Sequence, residues 1–257
     1  EINKYRHAAT HNLLTRKDVL IVASVSCIYG LGNVADYEAL AIKLERGQPI
    51  QRDKFLRQLT DIQYTRSGLD FKPSQFHVLG DTVEVYQPGD DTVMRFEMPF
   101  DEIETIQEVD SFTGELISEL QEVTIFPAAH NVTTKEKIEQ AIAGIKSEME
   151  MQEKVLFDMG QLAKAERIRT RTEYDMEMLL ETGYCSGIEN YMRYLNNNDK
   201  PDLPPSTLLD YFPDDFLMFI DESHISVPQV GGMYEGNRSR KNTLIEYGFR
   251  LPSAQDN

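Results

Sequence analysis

Apolar and polar positions follow three periods along this chain, and each predicts a different element. Asp18-Val19-Leu20-Ile21-Val22-Ala23 and Phe216-Leu217-Met218-Phe219-Ile220 are short continuous apolar runs, expected of strands buried on both faces of a parallel sheet. From about residue 40 to 130 the pattern changes to short alternating segments. Phe76 and Val78, then Val83 and Val85, flank Gly80-Asp81 and predict a hairpin; a second hairpin is expected from Ile103 to Val123 around Ser111-Phe112-Thr113-Gly114. Helical spacing then takes over. Thr133-Thr134-Lys135-Glu136 has the Thr-x-x-Glu pattern of a capping box, and Ile138, Ile142, Ile145 and Met149 follow on one face. Gly160 interrupts; Leu162, Ile168, Met176 and Leu179 resume as far as Gly183, which predicts a helical hairpin. Met149, Met151, Met159, Met176 and Met178 are expected to fill its core. Asn196 to Pro205 is a loop by turn chemistry.

These elements imply an α/β fold whose parallel strands lie at 1–39 and 206–257. Residues 40–133 form an inserted antiparallel β-rich domain, and residues 134–205 a helical subdomain. At 257 residues the chain can bury a sizeable core without disulfides. No apolar run reaches membrane-spanning length. Glu1-Ile2-Asn3-Lys4-Tyr5-Arg6 has neither a signal nor a transit pattern and is expected to be internal to a longer protein. Cys27 and Cys185, remote from each other and from metal-ligand spacing, suit a reducing, cytoplasmic setting.

Charge changes the picture. A net −17 opposes DNA binding by the surface as a whole, because phosphate neutralisation dominates that affinity. Residues 40–133 hold eight Lys or Arg against seventeen Asp or Glu, a net of −9, which directs this domain toward a protein partner.

The apolar run 216–220 ends in Asp221-Glu222-Ser223-His224. Nucleotide-driven motors place such residues at the nucleotide, where Asp221 would hold Mg²⁺ through water and Glu222 would orient the attacking water. A plain helix cap after a strand would produce the same string. A hydrolase metal site of Asp221, Glu222 and His224 is disfavoured, since strand alternation would turn Glu222 away from the other two. No Gly-x-x-x-x-Gly-Lys-Ser/Thr loop occurs, so the phosphates of ATP have no cradle in this chain.

Several longer strings converge on one family. Val22-Ala23-Ser24-Val25-Ser26-Cys27-Ile28-Tyr29-Gly30-Leu31-Gly32, Gly183-Tyr184-Cys185-Ser186-Gly187-Ile188-Glu189-Asn190-Tyr191, Leu209-Asp210-Tyr211-Phe212-Pro213-Asp214-Asp215-Phe216, Asp221-Glu222-Ser223-His224 and Tyr247-Gly248-Phe249-Arg250-Leu251-Pro252-Ser253-Ala254 closely resemble the UvrB family. Its members are the B subunits of the bacterial UvrABC excinuclease, and the resemblance runs through the whole chain in order.

That resemblance implies part of a RecA-like P-loop NTPase helicase domain, interrupted at 40–133 by the domain that docks onto UvrA. It implies damage verification in nucleotide excision repair, recruitment of UvrC, ATP and Mg²⁺ in the longer protein, and catalytic roles for Asp221, Glu222 and His224. It places Arg6, Ser24, Ser26 and Tyr29 along the DNA path, where hydroxyls and Arg suit phosphate and Tyr suits a base. The Walker A motif, the DNA-clamping hairpin and the second helicase domain have no counterpart here, so the chain alone is expected not to turn over ATP. A protein-interaction scaffold without nucleotide chemistry is the alternative.

The sequence departs from the family at the docking hairpin. Where the family reads Phe-Arg-x-Arg-Gly-Asp, this chain has Phe76-His77-Val78-Leu79-Gly80-Asp81. His77 can donate one hydrogen bond and Leu79 none, so the contact must be weaker or rewired. Arg66 matches another arginine of that contact.

Overall fold

The computed structural model describes residues 1–68, 70–195 and 206–256 and divides into two compact units, Glu1–Val22 with Val34–Val132, and Ala23–Asn33 with Thr133–Asn257. The expected loop from Asn196 to Pro205 lies outside the described residues.

In the first unit, helix α1 (Ile2–Thr15) and the short α2 (Val34–Ala39) precede strand β1 (Ile42–Glu45) and helix α3 (Arg52–Asp61). Six strands follow, β2 (Thr65–Arg66), β3 (Gln75–Leu79), β4 (Thr82–Tyr86), β5 (Thr92–Glu97), β6 (Thr105–Asp110) and β7 (Leu116–Leu120), forming one sheet in sequence order. Strand β8 (Glu122–Ile125) pairs antiparallel with β1 as a separate ribbon. Both expected hairpins form. Their extents differ from the expected ones: Val123 belongs to β8 and pairs with Leu44, so the second hairpin closes at Leu120. The module is not wholly antiparallel either, because β2 pairs parallel with β3.

Alternation explains this core. Val83 and Val85 of β4, Met94 and Phe96 of β5 and Ile106 of β6 turn to one face, where Phe55 and Leu59 of α3 cover them. The Phe55 and Phe96 rings meet edge to face with centroids 5.4 Å apart, a favoured aromatic geometry. Leu79 pairs with Thr82 across Gly80-Asp81, and Gly80 has φ +60°, the left-handed setting that glycine supplies at the first central position of a two-residue hairpin loop.

Asp90 is half-buried in this unit beside Gln87, whose Nε2 donates to its carboxylate at 3.0 Å. Burial and the Glu108 charge push the Asp90 pKa up to about 6. A folded pKa above the unfolded one favours the protonated fold, so Asp90 supports stability below its unfolded pKa and loses that support as pH rises through about 6. Asp90→Asn, which keeps an acceptor for Gln87, should therefore raise Tm at pH 7 and leave it nearly unchanged at pH 4. Thermal unfolding by circular dichroism at the two pH values reads this.

The second unit is built on helices α4 (Lys135–Asp158) and α5 (Leu162–Thr182), the expected helical hairpin. Gly160, with φ +75°, separates them, and Gly183, with φ +72°, ends α5 as a left-handed cap. Ile138, Ala141, Ile145, Met149 and Leu156 of α4 pack with Ala165, Ile168, Met176 and Leu179 of α5. Two expectations change. The N-cap of α4 is Thr134, whose hydroxyl accepts from the Lys137 backbone N–H at 3.4 Å, so Thr133-x-x-Glu136 does not form the predicted box. Of the methionines, Met149 and Met176 are buried and Met178 packs partly, while Met151 and Met159 lie exposed on the outer faces. The short α6 (Met192–Leu195) and helix α7 (Ser223–Glu246) complete the described elements.

The two apolar runs are the main correction. Residues 18–23 and 216–220 form no strand, and Leu20, Val22, Leu217 and Phe219 are 91, 94, 78 and 87% exposed. A strand buried on both faces exists only between hydrogen-bonded neighbours. Every described strand belongs to the two sheets of the first unit, and neither run pairs with any of them.

Candidate functional site

Strand alternation that sends Phe76 inward sends His77 and Leu79 to the opposite face of the six-stranded sheet. That face is partly covered: the Phe71 ring lies 5.8 Å from that of His77, and Val93 and Val109 on it are buried. Register aligns His77 with Glu84, Glu84 with Arg95, Arg95 with Gln107 and Gln107 with Glu119, a polar row crossing five strands. Within it, Arg95 Nε donates to Glu84 Oε1 at 2.8 Å, and His77 Nδ1 lies 3.8 Å from Glu84 Oε2. Glu84 thus holds one permanent cation and one titratable partner. Leu79 is 60% exposed at the end of the hairpin. Arg66 is exposed on β2, its backbone paired with Phe76, so Arg66, His77 and Leu79 belong to adjacent strands. Arg95 carries no mark of its own in the sequence, although alternation against Met94 and Phe96 places it on this face.

The other expected residues stand in different surroundings. Arg6 is exposed on α1. Ser24 caps the turn Val25–Ile28, with its Oγ 2.8 Å from Ser26 Oγ, and Tyr29 at the end of that turn is 54% exposed. The turn is anchored by Leu31 N–H donating to Ser206 O at 2.6 Å and by Tyr211 Oη donating to Gly32 O at 3.4 Å. Ser24, Ser26 and Tyr29 are therefore gathered on one short exposed turn of the second unit.

Asp221, Glu222 and His224 are exposed where the chain enters α7. Glu222 has φ +45°, and its Oε2 lies 3.4 Å from His224 Nδ1; the Asp221 carbonyl accepts from Ser226 Oγ at 2.9 Å. The segment turns into a helix after Glu222, so the alternation argued from a continuing strand does not apply. Among the described residues no three His, Cys, Asp or Glu side chains are grouped to hold a metal ion. As placed, Asp221 and Glu222 do not fit Mg²⁺ or a nucleotide by themselves, since a single exposed turn supplies neither convergent oxygens nor donors for phosphate. No helix among the described residues is long and apolar enough to cross a membrane.

Comparison with known proteins bears on both halves of the chain. Residues 42–131 match the UvrB interaction domain, which contains the six-stranded sheet, and residues 136–197 match the UvrB third helical domain, which contains the α4–α5 hairpin. Across the whole chain, identity is 52% to UvrABC system protein B of Caldanaerobacter subterraneus, 54% to that of Chloroflexus aggregans and 50% to that of Bacillus subtilis. The chain belongs to the UvrB family. It spans 39% of the length of these relatives, and the order of the two UvrB domains agrees with the order of the β-rich and helical units. The UvrB interaction domain begins at β1, which its ribbon with β8 ties to the far end of the domain.

Proposed function

We propose that this chain is the UvrA-docking and DNA-facing portion of the damage-verifying B subunit of the UvrABC excinuclease, acting in nucleotide excision repair. The observation that carries the reading is the match of residues 42–131 to the UvrB interaction domain, in which Arg66 is exposed on the edge strand β2 and His77 and Arg95 share one face of the sheet. Protein docking suits this unit better than DNA docking. Its net charge is strongly negative, and a partner bearing basic groups gains what a phosphate backbone would lose.

DNA contact is assigned to Arg6 and to the exposed turn of Ser24, Ser26 and Tyr29, where hydroxyls can donate to phosphate oxygens and the phenol ring can stack on a base. ATP, Mg²⁺ and recruitment of UvrC are assigned to the longer protein. There Asp221, Glu222 and His224 would serve the nucleotide once an adjoining phosphate-binding loop completes the site. The residue boundaries assigned to the domains are 1–39 and 206–257 for the helicase domain, 40–133 for docking and 134–205 for the helical subdomain.

The test is calorimetric titration of the chain with purified UvrA, repeated with Arg66→Ala. Arg66 is exposed and bears no core side chain, so the substitution should leave Tm unchanged and weaken binding roughly tenfold, as loss of one charged interface contact does. An unaltered Kd would remove Arg66 from the interface. The absence of any heat or complex with the unsubstituted, folded chain would overturn the docking assignment.

A further inference from the structure

We infer that Phe100, together with Leu79, is an apolar anchor by which the β-rich unit engages its protein partner. The inference rests on the UvrA-docking reading and names the residues and chemistry of one part of that contact. Phe100 is fully exposed, at 101%, at the connection between β5 and β6. It also has φ +59°, and so has the following Asp101. Two consecutive non-glycine residues in the left-handed region are unfavourable, because Cβ crowds the backbone there. An exposed aromatic ring is a second unfavourable choice at the same position. Local packing compensates for neither, since the side chain touches solvent on all sides.

The surroundings hold this arrangement in place. Arg52 at the start of α3 donates from Nη1 to Gly80 O at 2.6 Å, and its backbone N–H donates to the Asp101 carboxylate at 3.1 Å. The Met98 N–H donates to Asp81 O at 2.9 Å, and Ile50 N–H to Asp101 O at 2.9 Å. The β3–β4 turn and the β5–β6 connection are thereby tied to one end of the sheet. Phe100 is fixed on one of these loops, while Leu79 stands at the base of the other. Strained residues persist where surrounding bonds over-determine them, and they concentrate at sites of binding. A pre-fixed aromatic loses little freedom on docking, which is the property of an interface anchor.

Charge specifies the partner surface. Asp81, Asp101 and Glu102 are exposed on the same two loops, so the complementary site is an apolar pocket rimmed by Lys or Arg. Apolar contact of this kind needs no arginine at positions 77 and 79.

The experiment is calorimetric titration of UvrA with the unsubstituted chain, Phe100→Gly and Leu79→Ser, with thermal unfolding of each. Phe100→Gly relieves the left-handed strain, so its Tm should rise by about a few degrees while its Kd weakens about tenfold or more. Leu79→Ser should weaken binding without lowering Tm. Binding by Phe100→Gly equal to that of the unsubstituted chain overturns the inference, and a fall in its Tm would show that the ring packs for stability instead. If the unsubstituted chain gives no complex, the docking reading itself fails and this inference fails with it. If the unsubstituted chain binds and is weakened only by Arg66→Ala, the docking reading stands and this anchor does not.

Discussion

Asp175→Ala is expected to destabilise the helical unit by roughly 3–5 kcal/mol, the cost of stripping a buried charge network of its centre. Asp175 is 1% exposed on α5. Its Oδ2 accepts from Arg171 Nε at 2.9 Å and from Tyr191 Oη at 2.8 Å, and the same arginine donates from Nη2 to Ser186 O at 3.0 Å. The carboxylate therefore ties α5 to the Gly183–Tyr191 segment, which otherwise meets the helices through Cys185 and Ile188. Removing it leaves a buried phenol and a half-buried guanidinium without their acceptor. Burial beside this carboxylate holds the Tyr191 pKa well above its ordinary value, and burial pushes the Cys185 thiol up to about 12, so neither neighbour can replace the lost anion. Asp175→Asn is expected to cost much less. The second oxygen, Oδ1, has no donor among the described residues, so an amide nitrogen can take that position while the amide oxygen keeps both bonds. Urea unfolding followed by helical circular dichroism should show a large drop in midpoint for the alanine variant and a small one for the asparagine. Equal losses would mean that charge, rather than acceptor geometry, is what the site requires.

The parts of this molecule that are legible in sequence are those whose signal is local. Gly80-Asp81 between alternating segments specifies a hairpin because a two-residue loop admits few backbones, and Gly160 and Gly183 end helices because they accept positive φ. The exposed apolar runs mislead for the converse reason. An apolar run announces burial without stating by what, and neither run finds a neighbouring strand among the described residues. Thr134 rather than Thr133 caps α4; two adjacent threonines offer two cap positions, and the local pattern does not separate them. At the docking face, Arg66 and His77 are visible as polar positions beside a hairpin. Arg95 needs the register that pairs it with Glu84, which no single segment contains. The exposed turn bearing Ser24 and Ser26 is marked by its small polar residues, although the strand expected before it does not form.

The second large effect concerns three histidines whose role the sequence does not announce, and it is expected as an acid transition in the first unit. His7 and His11 lie one turn apart on α1, and their rings meet His130, Tyr37 and Phe126. His7 stacks on His130 at 3.9 Å and His11 on Phe126 at 4.6 Å. Thr10 Oγ1 lies 3.1 Å from His130 Nε2, and His11 Nε2 lies 2.9 Å from Tyr37 Oη. The i, i+4 spacing of His7 and His11 is the available signal, but imidazole suits surface and core alike. Burial lowers the pKa of His7 to about 4 and, with mutual repulsion added, those of His11 and His130 to about 3; Arg6 is the nearby cation, and it lowers His130 further. No acidic side chain among the described residues offsets this. The folded values lie below the unfolded value near 6.5, so the unfolded chain takes up protons first as pH falls. The cluster's stabilisation is complete above about pH 6.5 and is lost progressively from there toward pH 3–4. His7 alone contributes on the order of 3 kcal/mol to that loss, because each pH unit separating its folded and unfolded pKa is worth about 1.4 kcal/mol. Stability of the β-rich unit, followed by urea titration with tyrosine fluorescence from pH 7 to pH 4, should fall steeply through this window, against the opposite and smaller trend set by Asp90. His11→Phe, which keeps an aromatic ring against Phe126 and removes one titrating group, should flatten the fall while costing some stability at pH 7 through the lost bond to Tyr37. A pH profile identical to that of the unsubstituted chain would show that His11 is not among the groups driving the transition.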